Sequence, residues 1–244
     1  MEDAVTEPPP PSRFFQEDLD SFAPRSPPLP SPFLLLNPQN PNPNNPIIVI
    51  AISSPSLSLL RSVPDKTLIG TLFLPEKSLS ISSAPVEIHS SGSETILVSV
   101  PCRVGPERSR AVAKALLGGL ARGRVLVLDS IRAENYRGRL SADEDEAAVF
   151  KLETKEERKG GGLVGGVGYL GSGSMVDGFG AAVMAECEMR RGKGTMVVAW
   201  PEEGREVAKV LSGVLRGLGL AVDVGGGGSG SGGGFLKTKS DLYL

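Results

Sequence analysis

Very few side chains in this sequence are suited to acid–base or nucleophilic chemistry. The only histidine, His89, lies in the Ser/Gly-rich stretch EIHSSGSE between two predicted strands, so a histidine-based mechanism would have to use a loop residue. Ser130 ends the apolar run RVLVLDS, a position where α/β enzymes place functional side chains, but no G-x-S-x-G motif surrounds it. We interpret Ser130 as a strand-end residue beside a turn, and we assign no catalytic residue.

A glycine-rich stretch matches a dinucleotide-binding pattern. GVGYLG, residues 166–171, has the form G-x-G-x-x-G, and Glu186 follows near the expected distance. That pattern binds a dinucleotide only when a strand leads the glycines to the start of a helix, whereas the preceding KLETKEERKGGGLVG is charged and then flexible. Glu186 also falls inside a predicted helix. We therefore expect no dinucleotide site here, and RGKGT (191–195) similarly lacks the loop that surrounds a phosphate.

Metal and disulfide chemistry are also not predicted. The sequence has no CxxC or HExxH motif and no carboxylate–histidine spacing typical of a metal site, so we expect neither a metal nor another cofactor. The two cysteines, Cys102 and Cys187, are far apart and cannot form a disulfide framework. A reducing compartment fits this cysteine content best.

Composition restricts the class of protein further. A chain of 244 residues, 40% of them hydrophobic, is long enough to bury one sizeable core. The net charge of −2 gives no basic field for nucleic acid or an anionic membrane. The amino terminus MEDAVTEPPPP is unlike a secretory or transit peptide, and no apolar run is long enough to span a bilayer. We expect a soluble protein of the cytoplasm or nucleus.

The sequence divides into four segments by composition. Residues 1–45 hold most of the prolines and are predicted to be a disordered arm with polyproline II character. Within it, the apolar FLLL of residues 33–36 could dock on the protein's own body or on a partner, and we favour the former. Residues 46–224 are predicted to form the folded domain. Residues 225–239 form a flexible Gly/Ser-rich tether, and residues 240–244, SDLYL, a terminal docking motif.

Apolar patterning predicts the elements of the folded domain. Several of the apolar runs are too uniformly apolar for a sheet with one wet face, so helices must cover both sides. The strands are predicted at 47–52, 67–74, 95–101, 124–130, 195–200 and 220–224. Helices are predicted after Ser53, after Pro106, around 176–187, and after Pro201 with Glu202 and Glu203 in its first turn. The fold class is a three-layer α/β/α domain with a largely parallel or mixed central sheet.

Three blocks of the sequence resemble the proteasome assembly chaperones, specifically the chaperone 1 family that acts on the α-ring of the 20S proteasome. IIVIAI followed by SSPSLSLL resembles the family's first strand and helix. RVLVLDSIRAENYRGRL resembles its central strand and the following segment. YLGSGSMVDGFGAAVMAECEMRRGKGTMVVAW resembles the block in which a loop enters a helix that leads to a buried strand. The resemblance runs from about residue 47 to the terminus, and it does not extend to the proline-rich arm or the glycine tether.

The resemblance also gives a role to the last residues. Members of the chaperone pair end in a hydrophobic residue, a tyrosine and any residue, and Leu242, Tyr243 and Leu244 match these positions. The resemblance implies that this motif inserts between neighbouring α-subunits, where an apolar anchor, an amphipathic ring and a terminal carboxylate suit a pocket. About ten Gly/Ser residues have an r.m.s. reach of roughly 17 Å, which permits such insertion beside a docked body.

The resemblance therefore implies a non-enzymatic assembly factor. It would pair with proteasome assembly chaperone 2 as a heterodimer, cap the outer face of the nascent α-ring, and block ring dimers and early docking of activators. The main alternative is a nucleoside- or nucleotide-binding α/β enzyme that uses the glycine-rich loop at 160–173. A third possibility is a scaffold whose proline arm binds an SH3- or WW-like groove, although no compact PxxP set with a flanking base is present.

Overall fold

The structure is a computed structural model that describes residues 29–38, 43, 45–76, 84–138, 147–202 and 204–223. The described residues from Ser31 onward belong to one compact unit. The strands are β1 (Phe33–Leu36), β2 (Ile47–Ala51), β3 (Lys66–Phe73), β4 (Val86–Ser91), β5 (Thr95–Ser99), β6 (Arg124–Ser130), β7 (Ala148–Glu153), β8 (Gly168–Tyr169) and β9 (Gly194–Trp200). The helices are α1 (Ser54–Ser62), α2 (Pro106–Gly119), α3 (Lys155–Lys159), α4 (Gly178–Met189) and α5 (Arg205–Gly217), with a 3₁₀ turn at Ala133–Asn135.

The strands form one mixed sheet in the order β1-β3-β4-β5-β2-β6-β9-β7-β8. The central strands β5, β2, β6 and β9 are parallel to one another. Antiparallel pairs flank this centre, with β1, β3 and β4 on one side and β7 on the other. The predicted α/β/α class is therefore confirmed, and of the two sheet types expected, the sheet is the mixed one.

Helices pack on both faces of the sheet because the central strands are apolar on both faces. In β2, Ile48 and Ile50 join one buried cluster while Val49 joins the other, as the two-residue period of a strand requires. Helices α2 and α4 cover the first face, where Val112 and Val183 are fully buried. Helices α1 and α5 cover the second face. None of the described helices combines the length and apolarity needed to cross a bilayer.

The helix after Pro201 begins later than expected. Helix α5 starts at Arg205, so Glu202 precedes the helix and Glu206 supplies the acidic residue of its first turn. Gly204 separates the two, because its φ of 136° is a left-handed backbone angle that a helix cannot include. The apolar residues of α5 are buried as the period predicts, with Val207 and Leu211 at 1% and 0% exposure.

Four of the described strands, β1, β4, β7 and β8, were not predicted as strands, and one predicted strand is not formed by its described residues. The segment VEIHSS forms β4, so His89 lies on a strand and the prediction of a loop there was wrong. The start of the charged KLETKEERK segment belongs to β7, where Lys151 and Glu153 are buried. Residues 220–223, the described part of the predicted strand 220–224, do not form one, although Leu220 and Val222 are buried against the α1–α5 layer.

The apolar FLLL docks on the protein's own body, as favoured from the sequence. It forms β1, which pairs antiparallel with β3 at the edge of the sheet. Leu34 and Leu36 pack against the core, while Phe33 and Leu35 point to the other face. Gly70 of β3 permits this close approach, because a β-carbon there would meet the backbone oxygen of Leu35 at 2.7 Å.

Candidate functional site

The predicted docking motif, Leu242, Tyr243 and Leu244, and the tether at 225–239 lie outside the described residues. The structure does show where the chain is last held before the tether. The backbone N–H of Asp223 donates to Oγ of Ser62 at 3.2 Å, and the Arg216 guanidinium donates to the carbonyl of Val222 at 3.3 Å. Together with the burial of Val222, these bonds fix the chain at the C-terminal ends of α1 and α5, beside an open cleft.

An apolar part of the sheet surface lies outside the α1–α5 layer. Phe33, Leu35 and Leu68 are 47%, 56% and 50% exposed, and Phe33 stacks on Phe73 with ring centroids 5.3 Å apart. The strand register places these four residues on the same face of β1 and β3, which we call the open sheet face. Helices α1 and α5 cover the central strands and leave it exposed. Exposed apolar side chains that share one face are a feature of protein association surfaces.

His89 is placed for packing and not for catalysis. It lies between Leu68 of β3 and Leu97 of β5 in the strand register. Its side chain is 15% exposed, and Nε2 is 3.9 Å from the Glu87 carboxylate. Burial lowers the pKa of the imidazole; the Glu87 carboxylate acts in the opposite direction. His89 is therefore a half-buried neutral side chain on the surface of the sheet.

Ser130 and His89 cannot act together. Ser130 ends β6, which is separated from β4 by β5 and β2. Three strand spacings amount to about 14 Å, far beyond hydrogen-bond reach. The Ser130 backbone N–H donates to Oδ1 of the preceding residue, Asp129, at 2.9 Å. This geometry agrees with the interpretation of Ser130 as a residue at a strand end.

Asp129 is the described carboxyl group with the most raised pKa. Its pKa is raised from 3.8 to about 6, chiefly by burial. The hydrogen bond from the Ser130 N–H lowers this pKa, whereas the carboxylates of Asp177 and Glu202 raise it further. Asp129 lies under the first turn of α4. Asp177, the residue before that helix, pairs with Arg132 and accepts a hydrogen bond from Asn135 at 3.3 Å. These contacts tie the loop before α4 to the segment after β6.

The glycine-rich loop does not have the geometry of a dinucleotide site. The residues Gly168–Tyr169 within GVGYLG form the short edge strand β8, which pairs with β7. Helix α4 begins only at Gly178, so the glycines do not open a helix. Glu186 is buried on α4 and pairs with Arg190 at 2.6 Å. A strand, β7, does precede the loop, but the loop leads into an edge strand and not into a helix.

Side chains of β7 hold the same loop. The Tyr169 hydroxyl donates to Oε2 of Glu153 at 2.6 Å, and Lys151 lies 2.8 Å from both Oε1 of Glu153 and the carbonyl of Val164. Burial raises the pKa of Glu153, but the hydrogen bonds from Lys151 and Tyr169 outweigh it, so this pKa is below its ordinary value. The amino group of Lys151 is thus engaged within the protein and is not directed at a ligand.

Cys187 is not placed for thiol chemistry. Cys187 is buried on α4, and burial raises the pKa of its thiol to about 12, so it is not a reactive thiolate. Among the described residues, no three His, Cys, Asp or Glu side chains are grouped as metal ligands. The features that distinguish this chain are therefore the open sheet face and the fixed start of the C-terminal segment. The open sheet face was not predicted from the sequence, although the apolar FLLL at residues 33–36 supplies part of it.

The same fold is found in solved archaeal structures. The crystal structure of Pyrococcus furiosus PbaB, an archaeal proteasome activator, has a TM-score of 0.58 at 16% identity, over 80% of this chain and 91% of that chain. That of Pyrococcus furiosus PbaA, an archaeal homolog of proteasome-assembly chaperone, has a TM-score of 0.58 at 21% identity, over 80% and 84%. A Thermoplasma acidophilum protein of unknown function has a TM-score of 0.55 at 13% identity, over 73% and 78%. No protein-family model matches the sequence, and no curated protein matches it significantly.

Proposed function

We propose that this chain is a non-enzymatic chaperone for assembly of the 20S proteasome α-ring, acting in the cytoplasm or nucleus. The observation that carries the proposal is the shared fold, which extends over 80% of the chain in the comparison with PbaA and PbaB. Those two proteins are described as a homolog of proteasome-assembly chaperone and as a proteasome activator. The dispersal of His89 and Ser130 over different strands supports a role without catalysis.

The partner in this proposal is a second assembly chaperone, proteasome assembly chaperone 2, in a heterodimer. The open sheet face supports the pairing because Phe33, Leu35 and Leu68 are each about half exposed and adjoin an edge strand. Covering such a face removes apolar surface from water at roughly 25 cal/mol per Å². A chain that exposes this face when alone is stabilised by a partner that binds only the folded state.

The C-terminal motif is the proposed contact with the ring. Leu242, Tyr243 and the carboxylate of Leu244 insert between neighbouring α-subunits, while the body of the chaperone rests beside the pocket. The attachment of Asp223 to Ser62 supports this role, because a tethered ligand needs a fixed starting point on a rigid body. The Gly/Ser-rich composition of the segment after Asp223 suits a tether of this kind.

Affinity purification of the full chain from cells tests the proposal. The tag is placed at the amino terminus, so that Leu244 keeps its free carboxylate. We expect α-subunits and a second chaperone to be recovered, and mature core particles to be depleted relative to free rings. Recovery of a small molecule or nucleotide with no proteasome subunit would contradict the proposal and favour the enzyme alternative. An untagged strain and an unrelated tagged protein of similar net charge control for background.

A further inference from the structure

One edge of the sheet has a local excess of positive charge. The register places Lys66, Ser91, Thr95, Ile47 and Arg124 in one row, so the loops that lead into the central parallel strands meet at this edge. The loop before β6 contributes Arg122, and the loop before β9 contributes Arg191 and Lys193. Helix α3 follows the end of β7 here and adds Lys155 and Arg158. We call these five exposed cations the basic edge.

The loops and the helix that carry these five cations adjoin one another at this edge of the sheet. Nζ of Lys193 lies 3.3 Å from the position that a β-carbon on Gly160, at the end of α3, would occupy. Three nearby carboxylates are already paired with other cations: Glu157 with Arg124, Glu156 with Lys159 and Glu186 with Arg190. A fourth, Glu188, accepts a hydrogen bond from the backbone N–H of Lys155 at 3.0 Å. Among the residues that the structure describes, none of the five forms an ion pair. Arg158 lies over the Tyr169 ring, 5.1 Å from its centroid, so the other four cations are the part of the basic edge that is available to a partner.

The positive charge of the basic edge affects the pKa of a carboxyl group on α3. The pKa of Glu156 lies below its ordinary value, chiefly because Lys159 donates a hydrogen bond to it, and Lys155 and Arg191 add to the shift from nearby. The whole chain carries 26 Lys and Arg against 28 Asp and Glu. A positive surface on a chain of negative net charge reflects an uneven distribution, which orients the molecule as it approaches an oppositely charged partner.

The C-terminal segment leaves the body at the same edge. Asp223 is bonded to Ser62, the last residue of α1, and α1 leads into β3 at Lys66, whose Nζ donates to the carbonyls of Leu60 and Arg61. From β3 to β6 the row of strands spans four spacings, or about 19 Å. In the sequence, 18 residues separate Asp223 from Leu242, and 11 of them are Gly or Ser. The last described residue before the C-terminal motif is therefore at the edge that carries the cations.

We infer that the basic edge is the surface that this chain presents to an acidic protein surface beside the pocket that receives its tail. The inference rests on the proposed function and assigns the orientation of the chaperone on the ring. We favour an acidic protein surface over nucleic acid or a membrane for two reasons. Glu156 and Glu188 lie among the cations and would face the phosphates. A chain of net negative charge also gains little affinity for phosphates from the release of their counterions. Charge at the rim of such an interface chiefly sets the association rate.

Charge reversal at this edge tests the inference. The variant carries Arg122→Glu and Lys193→Glu; the matched control carries Arg205→Glu and Lys209→Glu on α5, which change the net charge equally on another surface. Association with purified α-subunit rings is measured at low and high salt, with thermal unfolding as the check on folding. We expect the first variant to associate about tenfold more slowly at low salt, with a smaller loss at high salt, and the control to stay within about twofold of wild type.

The outcomes separate this inference from the proposed function. If wild type binds rings and the Arg122/Lys193 variant binds equally fast, the basic edge has no such role while the chaperone proposal stands. If wild type does not bind rings, both fail. A short DNA duplex and phosphatidylserine vesicles are included at the same salt. Binding of either as tight as that of the rings would show a general polyanion surface and overturn the assignment to acidic protein.

Discussion

The carboxylate of Asp129 lies directly against the backbone of Gly180. A β-carbon on Gly180 would stand 2.8 Å from Oδ2 of Asp129 and 2.7 Å from Cε of Met196. The glycine in the first turn of α4 thus permits the end of β6 to approach the helix, and the helix in turn covers the carboxylate. Among the described residues, the Asp129 carboxylate accepts one hydrogen bond, from the Ser130 N–H. Its pKa is raised because this bond does not compensate for burial.

Replacing Asp129 with Asn should stabilise the protein at neutral pH. The folded-state pKa of about 6 exceeds the ordinary 3.8, so the folded state binds the proton more tightly. The contribution of Asp129 to the free energy of unfolding is fully favourable below about pH 4, where the carboxyl group is protonated. It is lost as the pH rises through the folded-state pKa of about 6. Two pKa units correspond to about 3 kcal/mol, an upper value for the gain in Asp129→Asn at pH 7.5.

Urea unfolding of wild type and Asp129→Asn at pH 7.5 and pH 4 measures this effect. The difference in free energy of unfolding should be present at pH 7.5 and close to zero at pH 4. Asp65→Asn, at an exposed position, is the control and should change little at either pH. An equal stability of Asp129→Asn and wild type at both pH values would show that Asp129 pays no cost of burial.

Gly180→Ala should destabilise the protein by about 1–3 kcal/mol, because the new methyl group overlaps Asp129 and Met196 in a packed region. Gly213→Ala is the matched control: this glycine lies in the middle of α5, and nothing lies within 4 Å of its β-carbon position. There the same substitution should stabilise by about 0.5–1 kcal/mol. Thermal and urea unfolding measure the change in stability of both variants. A change of the same sign in both variants would contradict the steric explanation.

Thr154 should be sensitive to loss of its hydroxyl and tolerant of loss of its methyl group. Its buried Oγ1 accepts from the N–H of Gly194 at 3.0 Å and of Glu157 at 3.3 Å, and donates to the carbonyl of Gly192 at 3.0 Å. Thr154→Val leaves these groups unpaired, at a cost of about 1–3 kcal/mol. Thr154→Ser keeps the bonds and should cost less than Thr154→Val. Unfolding free energies compare the two; equal losses would assign the effect to packing.

Leu35→Thr on the open sheet face should leave folding stability within about 0.5 kcal/mol of wild type. It should also reduce self-association of the isolated chain, because it removes half-exposed apolar surface. Leu34→Thr, one residue away but packed on the core beside Gly119, should destabilise instead. Light scattering and unfolding of both variants test the assignment. Unchanged association of Leu35→Thr would remove the open sheet face as an association surface.

Tyr243→Ala should weaken binding to α-subunit rings by about 2 kcal/mol, roughly thirtyfold, as expected for a buried aromatic anchor. Unfolding of the isolated chain should not change. Adding two glycines after Leu244 should weaken binding similarly while removing no side chain, because it displaces the carboxylate. Equilibrium binding of wild type and both variants measures this. Equal affinity of all three would show that the tail is not the ligand.

The sequence was most informative where both faces of a strand are buried. Ile47 to Ala51 and Arg124 to Ser130 form continuous apolar runs with helical periods between them, which is why the α/β/α class and most of its strands were predictable. Strand β4 was missed because His89 and Ser91 lie on a half-covered face, so its residues do not form an apolar run. In β7, the pairing of Lys151 with Glu153 makes a buried strand look like a charged surface.

The candidate surfaces were harder to predict because they depend on neighbours distant in sequence. FLLL indicated an apolar contact, but only the register of Leu35 with Thr71 shows which face stays exposed. Arg122 and Lys193 are about 70 residues apart, and the parallel pairing of β6 with β9 brings their loops together. The alternating apolar residues Leu220 and Val222 predicted a strand. They are buried, but they pack against the α1–α5 layer without pairing to another strand.

The position of β9 between β6 and β7 has a consequence for synthesis of the chain on the ribosome. Strand β7 pairs with β9 and not with β6, which precedes it in sequence. Because β9 begins roughly 40 residues after β7 ends, at about 5–20 residues per second β7 waits about 2–8 s for its neighbour. During that interval the nascent chain exposes the edges of β7 and β6 that will pair with β9. A nascent-chain holdase that binds extended apolar segments has this window in which to act.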